Sequence, residues 1–141
     1  MRFSAFAVMT TLAALSVSAE AGSKRTPVMI GGHADLDACM TIGHVARLGP
    51  TRPEDPKSGF LSVRSGPGGS AYFETDRVHN GDEVIICETA GPWHAIIYPN
   101  RGQSFQECYA QINVNLARRV PYQGSCRSGW VHERYIEITA G

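Results

Sequence analysis

The sequence predicts an all-β domain, a sandwich or small barrel of short strands with a long disulfide-stapled insertion before the last of them. Three observations carry this. Short apolar or alternating runs recur between closely spaced Gly, Pro and Asn turn signals, with little that reads as helix. Four cysteines stand in the part of the chain that follows an export-like N-terminus. The 141 residues, less that N-terminus, leave about 120, the size of one ordinary domain with one core.

The N-terminus sets the context. Arg2 is followed by a small-residue apolar run to Val17 and then by Ser18-Ala19-Glu20-Ala21, the order of a secretory signal peptide over residues 1–21. Small residues at −1 and −3 allow a cut after Ala19 or after Ala21. The run is shorter than the roughly 20 residues that span a bilayer, so cleavage is expected rather than retention. No Cys stands near the cut to carry a lipid, and no membrane anchor is expected in the mature chain. The expected location is the periplasm or the exterior. There an even cysteine count points to two disulfides, with three pairings open. The expected pairing is Cys108 with Cys126, both inside one long connection, which leaves Cys39 with Cys87.

Residues 22–36 are polar and Gly-rich and read as a flexible leader before a domain at 37–141. Ile42, Val45 and Leu48 give a weak strand signal, and residues 49–58, with three prolines, a loop. Leu61-Ser62-Val63-Arg64 alternates as a half-buried strand does, and Ser65-Gly66-Pro67-Gly68-Gly69-Ser70 ends it with turn chemistry. Residues 72–78 lead into Asn80-Gly81, which signals a type I′ hairpin, and a β-branched strand over 83–88 follows. Ala90-Gly91-Pro92 turns the chain into a strand over 93–98. Residues 99–127 form the insertion, where 106–118 has weak helical character because Asn113, Val114 and Asn115 are poor helix formers. Gly129-Trp130-Val131-His132, a one-turn helix at 133–135 and a strand at 136–138 close the chain.

Several of these landmarks fall in a familiar order. Leu61-Ser62-Val63-Arg64-Ser65-Gly66-Pro67 resembles the Leu-x-Val-Arg-x-Gly-Pro opening of bacterial SH3-like (SH3b) domains. Asn80-Gly81-Asp82, Gly91-Pro92-Trp93, Gly129-Trp130-Val131 and Tyr135-Ile136 continue the likeness in register. The resemblance implies a small SH3-like barrel. It departs at the long insertion, where the family has a short turn, and along residues 37–48, where the match is thin. It also implies a ligand face, with Trp93 at the start of one barrel strand, Tyr135 in the one-turn helix, His132 nearby and Tyr72 flanking. Arg118 and Arg119 of the insertion are expected at its rim, facing an acidic partner.

Charge is balanced, with 13 basic and 13 acidic residues, and arginines gather only mildly after Asp82, so a nucleic-acid partner is not expected. The five histidines have no helical or finger spacing, and His33, Asp35 and His44 do not make a convincing metal set. No Gly-x-Ser-x-Gly elbow and no phosphate loop before a helix occur, and no carboxylate pair is placed for acid/base chemistry. No cofactor, metal or catalytic residue is therefore expected. The expected function is a non-enzymatic periplasmic or secreted binding module. It would recognise a cell-wall peptide or a protein partner as an adaptor, inhibitor or immunity-like protein. The alternative is a small cryptic cell-wall hydrolase using Cys or His residues, in which a catalytic Cys needs a free thiol.

Overall fold

The computed structural model describes residues 24–141, so the signal peptide expected over 1–21 lies outside the described residues. Nine strands, one helix and a single 3-10 turn occur among the described residues. In order they are β1 (Met29–Ile30), β2 (Thr41–Val45), β3 (Leu61–Arg64), β4 (Glu74–Val78), β5 (Glu83–Ala90), β6 (Trp93–Tyr98), α1 (Phe105–Ile112), β7 (Val120–Pro121), β8 (Arg127–His132), the 3-10 turn Glu133–Tyr135 and β9 (Ile136–Ala140). Seven of the strands form one antiparallel sheet in the order β4-β3-β8-β6-β5-β2-β9, and β1 pairs with β7 in a separate ribbon. The two ends of the large sheet, β4 and β9, do not pair with each other, so the described residues form a curled open sheet and not a closed barrel.

Strand alternation explains how the middle of this sheet is used. In β5, Val84 and Ile86 face one core while Ile85 faces another. In β6, Ile96 and Tyr98 join the first core and Ala95 and Ile97 the second; in β8, Val131 and Trp130 divide the same way. Apolar residues in succession, Val84-Ile85-Ile86 and Ala95-Ile96-Ile97, are what a strand covered on both faces requires. The first core lies inside the curl, with Val45, Val63 and Val78. The second is closed by Val28 and Ile30 from the N-terminal segment, by Ile112 from α1 and by cysteines of both disulfides.

The disulfides are Cys39–Cys87 and Cys108–Cys126, as expected from the spacing, and they use every cysteine in the chain. Helix α1 starts at Ser104, whose hydroxyl accepts from the Glu107 N–H while the Glu107 carboxylate accepts from the Ser104 N–H, a capping box. It stops at Ile112, short of the expected 118, where Asn113 and β-branched Val114 interrupt it.

Two expectations change. Residues 24–36 do not stand off as a leader: Val28 and Ile30 are 3% and 8% exposed, and β1 pairs with β7. The polar, Gly-rich composition concealed two alternating apolar positions, one just before and one within the two-residue strand β1. Asn80-Gly81 does not close a hairpin, because β4 pairs with β3 while β5 pairs with β2 and β6. Gly81 has φ 91° but Asn80 is not in the positive-φ region, so the signs are those of a type II turn and not I′. The tight two-residue hairpin is instead Gly91-Pro92, between paired Ala90 and Trp93, where Gly91 takes φ 56° as the first position of a type II′ turn requires.

One polar cluster fastens β4 to the sheet centre. The Tyr98 hydroxyl donates to Asp76 Oδ2 at 2.8 Å, and Arg127 reaches the same oxygen at 2.5 Å while its Nε donates to Asn100 Oδ1. Burial works to raise the Asp76 carboxyl, but the hydrogen bonds from Arg127 and Tyr98 outweigh it and hold the group below the ordinary carboxylate range. A carboxyl depressed in the folded state stabilises fully above its unfolded value of about 3.9, and that stability is lost as pH falls through the lower folded value. Asp76→Asn is accordingly expected to flatten the acid limb of stability below about pH 4, read from urea melts across a pH series. An unchanged acid limb would show that other carboxylates set it.

Candidate functional site

The β6–β8 ladder places Trp93 directly opposite His132. Their rings meet edge to face, with centroids 5.4 Å apart and planes at 70°. Tyr135, on the 3-10 turn, continues the row at 6.4 Å and 65° from His132. All three are half-buried, each with part of its ring open to solvent.

The row is held from behind. His132 Nδ1 accepts from the Arg134 N–H at 3.2 Å and so caps the 3-10 turn, which requires that nitrogen to be unprotonated. The Glu133 N–H donates to Pro92 O, tying the turn to the β5–β6 hairpin beside Trp93. Arg47, in the left-handed region at φ 63°, donates from Nη2 to Arg134 O at 2.8 Å and to Ile136 O at 3.0 Å. The Ala46 N–H donates to Tyr135 O. These bonds hold the His132 ring and the backbone of the turn that carries Tyr135, next to Trp93, and aromatic side chains of small dihedral freedom on so braced a backbone lose little entropy on binding.

His94, next to Trp93 in β6, lies on the opposite face of that strand because successive side chains alternate. Its Nδ1 is buried without a hydrogen-bond partner, and burial lowers its pKa, with the Glu133 carboxylate opposing.

Tyr72 does not join the row. It is buried in the β3–β4 connection, with its ring packed against Gly66 so closely that no Cβ fits there, and its hydroxyl accepts from Thr26 Oγ1 at 3.2 Å. The arginines of the insertion also differ in use. Arg119 is ion-paired with Glu88, whose other carboxylate oxygen accepts from the Met29 N–H, so this pair joins β5 to the β1–β7 ribbon. No Cys, His, Asp or Glu cluster among the described residues is placed to hold a metal ion. No helix among them is long and apolar enough to cross a membrane.

Sequence reasoning missed one constellation altogether. Thr26, Ser65 and Trp130 converge where β3 and β8 separate, with Trp130 Nε1 donating to Thr26 O at 2.8 Å and the Thr26 N–H donating to Ser65 O at 2.8 Å. The signal available was an alternation of Val28 and Ile30, too short to register.

What fold and site define together is a doubly stapled, all-β domain that displays a braced aromatic row. Comparison of the chain with known protein families, curated proteins and solved structures found no match.

Proposed function

We propose that the protein is a non-enzymatic SH3b-type binding module of the periplasm or the exterior, and that it takes a cell-wall peptide or a protein partner on the row Trp93–His132–Tyr135. The row itself carries the reading: three partly open aromatic rings stand in edge-to-face contact, with Trp93 and Tyr135 each seated on a core, and such rigid, half-exposed aromatics can dominate a small interface. Two disulfides suit an oxidising compartment. A Cys-dependent hydrolase is unsupported, because all four thiols are consumed.

Trp93→Ala and Tyr135→Ala test the proposal. Each is expected to keep a cooperative thermal melt and to weaken retention by at least about tenfold, against purified peptidoglycan in a sedimentation assay or against the protein recovered from envelope extract. Folded variants that bind at full strength would remove the row from the function.

A further inference from the structure

Strands β3 and β8 share a single residue pair, Arg64 with Trp130, and then part. The channel between them holds a cavity of about 290 Å³, lined by Arg64, Ser65, Thr75, Ser128 and Gly129 and roofed by residues 25–28. We propose that this channel is a docking groove for an extended peptide with two consecutive basic residues, and that the chain's own Lys24-Arg25-Thr26 occupies it as a displaceable internal ligand.

Four hydrogen bonds hold this segment, three of them made to its main chain and the fourth from the Thr26 hydroxyl to the Tyr72 hydroxyl at 3.2 Å. The Thr26 N–H donates to Ser65 O at 2.8 Å, Ser65 Oγ donates to Lys24 O at 2.7 Å, and Trp130 Nε1 donates to Thr26 O at 2.8 Å. Ser65 is the one buried polar residue among those described, and its hydroxyl and carbonyl both serve this contact. Such a set reads the backbone of any extended chain, the logic of strand addition at a sheet edge. Selectivity comes from the rings beneath: Lys24 Nζ lies 5.3 Å from the Tyr72 centroid and the Arg25 guanidinium 4.6 Å from the Phe73 centroid. Two adjacent aromatic faces therefore receive two adjacent cations.

The occupant is built to leave. Lys24 and Arg25 are exposed and held by one main-chain hydrogen bond and the two ring contacts, whereas Val28 and Ile30 are sunk in the core. Between them stands Pro27, which has no N–H to add to the ladder and marks where peeling would stop. Segments with few buried apolar contacts open locally without global unfolding. An opened segment leaves the Ser65 carbonyl and the Trp130 indole N–H without partners, while the Ser65 hydroxyl loses its acceptor and keeps the Phe73 N–H as donor. That vacancy favours a second basic peptide able to overcome the high effective concentration of the tethered one.

The test uses the full oxidised protein and a synthetic peptide of residues 23–28, Ser-Lys-Arg-Thr-Pro-Val. In native-state hydrogen exchange the Thr26 amide and the Trp130 indole N–H are expected to exchange at least about a hundredfold faster than the Ile97 and Val131 amides, which open only globally. In Lys24→Glu/Arg25→Glu protein, whose own segment no longer matches the rings, the peptide is expected to shift the Trp130 indole resonance and bind about tenfold tighter than to the unmodified protein. The same peptide with Glu in place of both cations should not bind. Exchange of the indole N–H only with global unfolding, or no peptide binding to the variant at millimolar concentration, would overturn the proposal. Both changed positions are exposed, so a melt like that of the unmodified protein is expected. Either result leaves the reading of the Trp93 row untouched, since no residue is shared.

Discussion

Reduction of both disulfides is expected to remove about 7 kcal/mol of stability, a large part of what a domain of this size possesses. The chain-entropy relation values the Cys39–Cys87 closure, with a separation of 48 residues, at about 4 kcal/mol, and the Cys108–Cys126 closure, with a separation of 18, at about 3 kcal/mol. Small domains hold only about 5–15 kcal/mol in all. Both bridges also end in the same core, so their loss loosens one region twice. Urea melts of oxidised protein and of reduced, alkylated protein give the measurement. A reduced form within about 2 kcal/mol of the oxidised one would mean that apolar packing alone retains the insertion.

Trp130→Ala is expected to cost about 3–5 kcal/mol, the range for deleting a large buried aromatic. Its ring is 2% exposed and stands between the strand β6 residues Ala95 and Ile97 on one side and the N-terminal segment on the other. Its indole N–H also anchors Thr26. Trp130→Phe separates the two roles: it keeps most of the ring and gives up the hydrogen bond, for an expected loss of about 1 kcal/mol beyond the volume change. Equal losses for the two variants would assign the whole effect to the hydrogen bond.

The sequence was most legible where one physical requirement acted alone. Turn chemistry at Gly91-Pro92 and alternation along Leu61-Ser62-Val63-Arg64 placed strands to within a residue or two, and the disulfide pairing followed from which cysteines share a connection. It was least legible where partners are distant. Asn80-Gly81 has hairpin chemistry, yet the strands it joins pair elsewhere, a choice made by the sheet and not by the turn. Val28 and Ile30 are meaningful only opposite α1 and β7, which lie far along the chain. Of the four expected site residues, Trp93, His132 and Tyr135 come together because two lie opposite on paired strands and the third follows within one turn. Tyr72 is drawn away by glycines in its own loop, whose missing side chains leave a socket for its ring.

The strands shared between two cores also bear on how this domain can be shortened or grafted. Ile85, Ala95, Ile97 and Trp130 point into the core that the insertion and the N-terminal segment close. Excising residues 99–127 in favour of a short turn would turn that face to water as a contiguous apolar surface, the kind that drives association. A minimal version therefore has to be repainted before it is trimmed, with polar residues at those four positions while Val84, Ile96 and Val131 on the reverse face stay as they are. The insertion is thus not an ornament on a finished domain; the amino acids of the central strands already presuppose it.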